Sequence, residues 1–314
     1  MAVSKILDKT LSGKLFLQEF WVDFGGKRRN IANLLLKKRM RMLFRNALKE
    51  GGNMIYLGQL EHKEQMRALV DVYHLGLESY ELGIGEALDD WHASAERFQR
   101  DLGPVCTEGL SLHGPFLDLN PGCYDSRVRA ATMERFEACY LAAQHVGADR
   151  IIFHSGFLPL IYHAKNWLEN SISFWKEFLA GKGDGIQIHL ENLYDPYWEP
   201  IKRLLDEVEN PIFTACLDVG HANVFSSRPV LEWLEGLGSH IGHFHLHNND
   251  GNLDQHRALS DGAIPMKEFL KSLQENHFGV SCTLEINDAQ AAKESLLWLE
   301  SELGWDLSRK SKSA

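Results

Sequence analysis

The chain has no paired-cysteine pattern, no long apolar run and no glycine-rich phosphate loop, and each absence removes a class of protein. Its five cysteines (Cys106, Cys123, Cys139, Cys216, Cys282) are scattered, odd in number and without a CxxC, which argues against a disulfide framework. They read as reduced and mostly buried, as in a cytoplasmic protein. No apolar run reaches the roughly 18 residues that a bilayer crossing needs. The start, MAVSKILDKT, lacks the apolar core and cleavage site of a secretory signal. No GxGxxG follows a strand-like segment, which places a doubly wound dinucleotide-binding sheet second among the folds considered.

Positive charge is scarce beyond the first 53 residues. Residues 1–53 hold 12 Lys/Arg and 4 Asp/Glu, whereas the rest holds 21 and 39, a balance of −18. Affinity for phosphodiester backbones comes from Lys/Arg, so nucleic acid is not the expected partner of the body. Residues 1–53, with KRRN and LLLKKRMRMLFR closed by Gly51-Gly52, read as a basic extension outside the fold, disordered or non-native; a basic amphipathic arm is the alternative. The run KEGGNM can be encoded by a purine-rich ribosome-binding site ahead of an ATG, which makes Met54 a candidate start. Residues 54–307 are expected to form one domain, and 308–314 a disordered tail.

What the body does contain is regular alternation. Strands are expected at Met54–Leu60, Leu77–Leu82, Leu110–His113, Arg150–His154, Ile186–Glu191, Phe213–Asp218, Ile241–His247 and Val280–Ile286. Helical stripes lie between them. Ser126–Val146 is stopped by Gly147, and Ile201, Leu204, Leu205 and Val208 follow Pro200 at helical spacing. Eight strand–helix units in about 250 residues match a (β/α)8 TIM barrel.

In such a barrel the chemistry sits at the C-terminal ends of the strands. Those ends carry His113, His154, Glu191, Asp218 with His221, His245 and Glu285, and Asp254 and His256 follow in the seventh loop. A lone buried histidine is usually structural. Polar, ligand-type side chains at six of eight strand ends are costly in a core unless paired or coordinated, so the set points to a divalent metal. Imidazole and carboxylate donors suit Zn, Mn, Co or Fe, with Mg also open, and do not choose among them.

The motifs HGP, FHSG, LEN, LDVGHAN, HLHNND with a downstream DxH, and LEI resemble, in order and spacing, the xylose-isomerase-like barrels. That family includes sugar-phosphate isomerases and epimerases and the apurinic-site endonuclease IV enzymes. The resemblance covers Met54 to the last helix. It implies that Glu191, Asp218, His245 and Glu285 form a four-ligand metal site, and that His113, His154, His221, Asp254 and His256 match the additional ligands of trinuclear zinc members. It further implies Glu191 and Glu285 as the acid/base pair and His221 and His154 as substrate contacts. The chain departs from the endonucleases in having HSGFL and LENLYDP. It departs from true xylose isomerases in lacking a lysine near Glu191.

The expected function is therefore a metal-dependent isomerase or epimerase acting on a sugar, sugar phosphate or related polyol by proton transfer through an enediolate. Hydrolysis of abasic DNA, a lyase reaction and a non-catalytic metal- or sugar-binding barrel are the alternatives. Phe157, Tyr194 and Trp198, in loops after strands, are expected to wall the pocket. The expected partner is a small sugar; no membrane is expected, and homo-oligomerisation stays open.

Overall fold

The computed structural model describes residues 21–24, 27–30, 54–275, 280–305 and 307. The remaining residues of the expected extension, and the tail 308–314, lie outside the described residues. The chain divides into two compact units, Met1–Gly51 and Gly52–Ala314. In the first, Trp21–Phe24 pairs antiparallel with Lys27–Asn30, so KRRN is a strand.

The second unit is a closed barrel of eight parallel strands. In chain order they are β1 (Ile55–Gly58), β2 (Gly76–Ser79), β3 (Leu110–His113), β4 (Arg150–His154), β5 (Gln187–Glu191), β6 (Phe213–Asp218), β7 (Ile241–Leu246) and β8 (Ser281–Leu284). Each strand pairs with the next, and β8 closes on β1. Among the described residues no helix is long and apolar enough to cross a membrane. All five cysteines are free.

Alternation along each strand sorts the side chains. On β7, Phe244 faces outward onto Phe269 of the helix Met266–Glu275, while His243 and His245 turn into the barrel. Outside the barrel, Phe136 stacks on Phe153 at 4.1 Å and Trp175 on Phe213 at 4.6 Å. These aromatics join the helices Ser126–Val146 and Ala164–Phe178 to β4 and β6. Fully buried, each such ring contributes about 2–3 kcal/mol. The ends of the helix Ser126–Val146 are set by sequence: Asp125 accepts hydrogen bonds from the amides of Arg127 and Val128, and Gly147 takes φ 76° at the stop.

Candidate metal centre

Glu191 ends β5, fully buried, and neither carboxylate oxygen has a hydrogen-bond partner. Oε1 lies 3.1 Å from His221 Nδ1 and 3.4 Å from His245 Nδ1. Oε2 lies 3.5 Å from both His113 Nε2 and His154 Nε2. One carboxylate thus faces two sets of imidazoles. The donor atoms of Glu191, Asp218, His245 and Glu285 all lie within 4.8 Å of one another, as do those of His113, His154 and Glu191. A third arm runs through Asp254, whose Oδ2 is 3.2 Å from His221 Nε2 and 2.9 Å from His256 Nε2. All nine residues named from the sequence therefore converge on one region.

The motifs around them hold the strand ends in place. Asn192 of LEN donates from Nδ2 to the Asp218 carbonyl and accepts the Asp218 amide at Oδ1, both at 2.9 Å, locking the end of β5 to that of β6. Asp218 then caps the short helix Val219–Phe225 by accepting the His221 amide, which places His221 beside Glu191. Gly220 is required there, because a Cβ would fall 1.9 Å from the His247 ring. His256 adopts φ 48°, a left-handed conformation unusual for a non-glycine residue. The neighbouring bridge between Arg257 and Asn248 holds it.

Three imidazoles are oriented by backbone carbonyls, which can only accept. His113 Nδ1 donates to Gly114 O at 3.0 Å, His221 Nδ1 to Asn192 O at 2.9 Å, and His256 Nδ1 to Glu285 O at 2.7 Å. That leaves Nε2 to face His154 and Glu191 in His113, and Asp254 in His221 and His256, where His256 Nε2 donates to Asp254 Oδ2 at 2.9 Å; Nε2 offers its lone pair to a metal once deprotonated. Holding a ligand imidazole by its other nitrogen is the usual support of a metal site.

Glu191 Oε1 and Oε2, His245 Nδ1, Asp254 Oδ1 and Glu285 Oε2 are buried atoms without a hydrogen bond. Leaving so many polar atoms unpaired costs several kcal/mol. The donor atoms of Glu191, His245 and Glu285 lie within 4.8 Å of one another, so one divalent cation would satisfy them together, and the nitrogen and oxygen donors suit Zn²⁺ and its first-row neighbours. The residues fit the group.

Electrostatics agree. Burial pushes the Glu191 carboxyl up, but His245, His154 and His113 outweigh it and hold the group well below the usual range. Burial also opposes charge on His245, yet Glu78, Glu191 and Glu285 raise it well above an ordinary imidazole. His256 rises to about 9, the hydrogen bond to Asp254 overcoming burial.

Above the cluster opens a cavity of about 790 Å³. His113, His154, His221, Asp254, His256 and Glu285 line it, whereas Glu191, Asp218 and His245 lie beneath. Of the three expected wall aromatics, Tyr194 lines the cavity. The other two do not. Phe157 is buried against Trp167, and Trp198 packs on the Gly236 backbone in the helix Val230–Leu237, so both serve the core. Tyr80 and Phe116 take their places.

The sequence reading missed four buried polar residues. Asp195 accepts hydrogen bonds from Ser155 Oγ (2.6 Å) and the Leu193 amide, tying the fourth loop to the fifth. His247 stacks on His256 at 4.1 Å and places Nε2 3.2 Å from Asp218 Oδ2. His243 and Glu78 lie below the cluster. The HxHxH alternation was the available signal for His243 and His247; Glu78 and Asp195 gave none.

A family profile described as "Xylose isomerase-like TIM barrel" matches residues 63–302. An uncharacterized protein of Methanocaldococcus jannaschii is 29% identical over 202 residues, 60% of this chain and 68% of that protein. Among solved structures, a Thermus thermophilus protein soaked with ZnCl2 is similar with TM-score 0.65 and 27% identity, over 82% of this chain and 99% of that one. A D-tagatose 3-epimerase-like protein has TM-score 0.62 and 22% identity over 80% and 97%, a likeness of fold. With its closed eight-strand barrel and a match spanning most of its length, the chain belongs to the xylose isomerase-like TIM barrel family.

Proposed function

We propose that the protein is a metal-dependent isomerase or epimerase that moves a proton beside the carbonyl of a sugar or related polyol, through an enediolate. One observation carries the reading: Glu285 lines the cavity and keeps an unpartnered oxygen, Oε2, among the proposed ligands. A cation held by Glu191, Asp218, His245 and Glu285, with His113, His154, His221, Asp254 and His256 available to further ions, supplies Lewis acidity at substrate oxygens.

The Glu285 carboxylate accepts the proton from the substrate carbon, and Glu191 is the second carboxylate of the pair. His154 and His221 line the cavity and hydrogen-bond substrate oxygens. Tyr80, Phe116 and Tyr194 offer ring faces to the C–H side of a sugar. Among the described lining residues Arg135 is the one Lys/Arg, and Asp89 already holds it at 2.6 Å. That supports an uncharged sugar over a phosphorylated one.

The test is elemental analysis of the purified protein, then a ketose and aldose panel in deuterium oxide with the metal found. Product carrying solvent deuterium at the carbon beside the carbonyl is expected. Product without deuterium points to a hydride shift and overturns the mechanism. The convergence of all nine ligand positions favours one further reading, hydrolysis at abasic DNA; nicking of an abasic duplex with no turnover of any sugar establishes it instead. Metal and sugar bound without turnover identify a binding barrel.

A further inference from the structure

At the floor of the cavity, Glu78 of β2 occupies a place that proton transfer does not use. It is buried, and its two oxygens have different surroundings. Oε2 accepts hydrogen bonds from Ser111 Oγ at 2.7 Å and Thr283 Oγ1 at 2.8 Å. Oε1 lies 2.8 Å from His245 Nε2, a short contact off the N–H axis. Strands β2, β3, β7 and β8 therefore meet at one carboxylate.

A proton inventory fixes the direction of this network. Arg150 has only donors, so its Nη1 donates to Ser281 Oγ, and Ser281 donates its own hydrogen to His243 Nδ1 at 2.7 Å. His243 then carries its proton on Nε2 and gives it to Thr283 Oγ1 at 2.9 Å. The Thr283 hydroxyl hydrogen is left for Glu78 Oε2. Every donor in the relay points at Glu78, and Ser111 adds another. The carboxylate is an acceptor on both oxygens, so the atom facing Oε1, His245 Nε2, is the protonated one. When His245 is neutral its lone pair is therefore on Nδ1, which faces Glu285 Oε2 at 3.1 Å, Glu191 Oε1 at 3.4 Å and Asp218 Oδ2 at 3.7 Å.

His245 differs in this from His113, His221 and His256, which are each oriented by a backbone carbonyl. A carboxylate partner makes an imidazole a stronger donor to a metal than a carbonyl does. We infer that Glu78 is a positioning residue that holds His245 in the Nε2–H tautomer and so tightens the grip of its Nδ1 on a divalent cation. The inference rests on the metal-centre reading and is independent of which reaction the centre serves.

The test measures zinc affinity of the full chain by competition with a chromogenic chelator. Glu78→Gln keeps the shape but removes the charge, and affinity is expected to fall roughly 10–100-fold. Ser111→Ala, which touches only the other oxygen, is expected to change it by no more than a few fold. Unchanged affinity in Glu78→Gln, with the same loss of melting temperature with and without zinc, means a purely structural role and overturns the inference alone. A wild-type chain that binds no zinc overturns the metal-centre reading and the inference with it. Should Glu78→Gln not fold, imidazole ¹⁵N NMR of the zinc-loaded wild type decides. Protonation of His245 at Nε2 is expected, and protonation at Nδ1 overturns the proposal.

Discussion

His243 and His245 sit two residues apart on β7, both fully buried and both pointing into the barrel, yet their surroundings differ in kind. His243 is hydrogen-bonded at both nitrogens, to Ser281 and Thr283, and burial, reinforced by Arg150, lowers it to about 4 despite Glu78. His245 has no aligned hydrogen bond and is surrounded by carboxylates that favour its charged form. The amino-terminal half of the barrel interior spends histidine on structure, and the carboxyl-terminal half leaves it reactive. Residue type does not separate function from scaffold in this pair; hydrogen-bond satisfaction does.

The largest expected effect comes from the upper half. Glu191→Gln should lower turnover by at least about 10²–10⁴-fold and release metal on elemental analysis. Because the charge it removes has no hydrogen bond, the fold should remain, with a cooperative melt. Unchanged metal content would break the contrast at its centre. The lower half should behave oppositely. His243→Ala orphans Ser281 and Thr283 and opens a cavity, costing about 2–4 kcal/mol in urea unfolding while zinc stoichiometry stays the same.

A third test concerns the loops that carry the upper half. Burial lifts the Asp195 carboxyl to about 6, against its hydrogen bonds from Ser155 and Leu193. The folded state then holds this proton at pH values where the unfolded chain, near the ordinary aspartate value, has lost it. Stability from this group therefore declines as pH rises from about 4 through about 6 and is level above. Asp195→Asn should flatten that part of the stability–pH curve, a difference of at most about 3 kcal/mol. A fourth effect is on binding. His221, His245 and His256 are raised above ordinary imidazoles, so each must lose a proton to ligate. Zinc binding at pH 7 should release protons, and affinity should climb as pH rises toward about 9, about tenfold per unit for each proton released. Calorimetry in two buffers of different ionisation heat measures it; identical heats would mean that the imidazoles are already neutral.

Where the sequence patterns are strict, the structure follows them. β3, β4 and β6 begin and end at the residues their apolar runs indicate, Leu110–His113, Arg150–His154 and Phe213–Asp218. β2 does not. Leu82 suggested a strand continuing from Leu77, but the chain turns at Ser79, whose Oγ accepts the Glu81 amide, into a 3₁₀ turn. A strand that runs on to Leu82 puts Glu78 near its start, away from the strand end where the chemistry is sought, and so the carboxylate facing His245 Nε2 went unseen. The convergence of the nine proposed ligand positions was legible because strand ends in a parallel barrel converge whatever their spacing in sequence. Which nitrogen of each imidazole faces inward was not legible, since it depends on carbonyls and hydroxyls from neighbouring strands. Phe157 and Trp198 show the same limit: an aromatic in a loop after a strand can turn to the cavity or to the helices, and local sequence does not choose.

The nine proposed ligands run from His113 to Glu285 and come from six of the eight strands and the segments that follow them. No short segment holds a complete set, so the cluster assembles only once nearly the whole barrel has closed, after the loop-closure entropy of the long-range pairings has been met. A cation bound there would therefore arrive too late to guide folding. Its stabilisation would fall on the native side of the transition state, lengthening the lifetime of the folded barrel without hastening its formation.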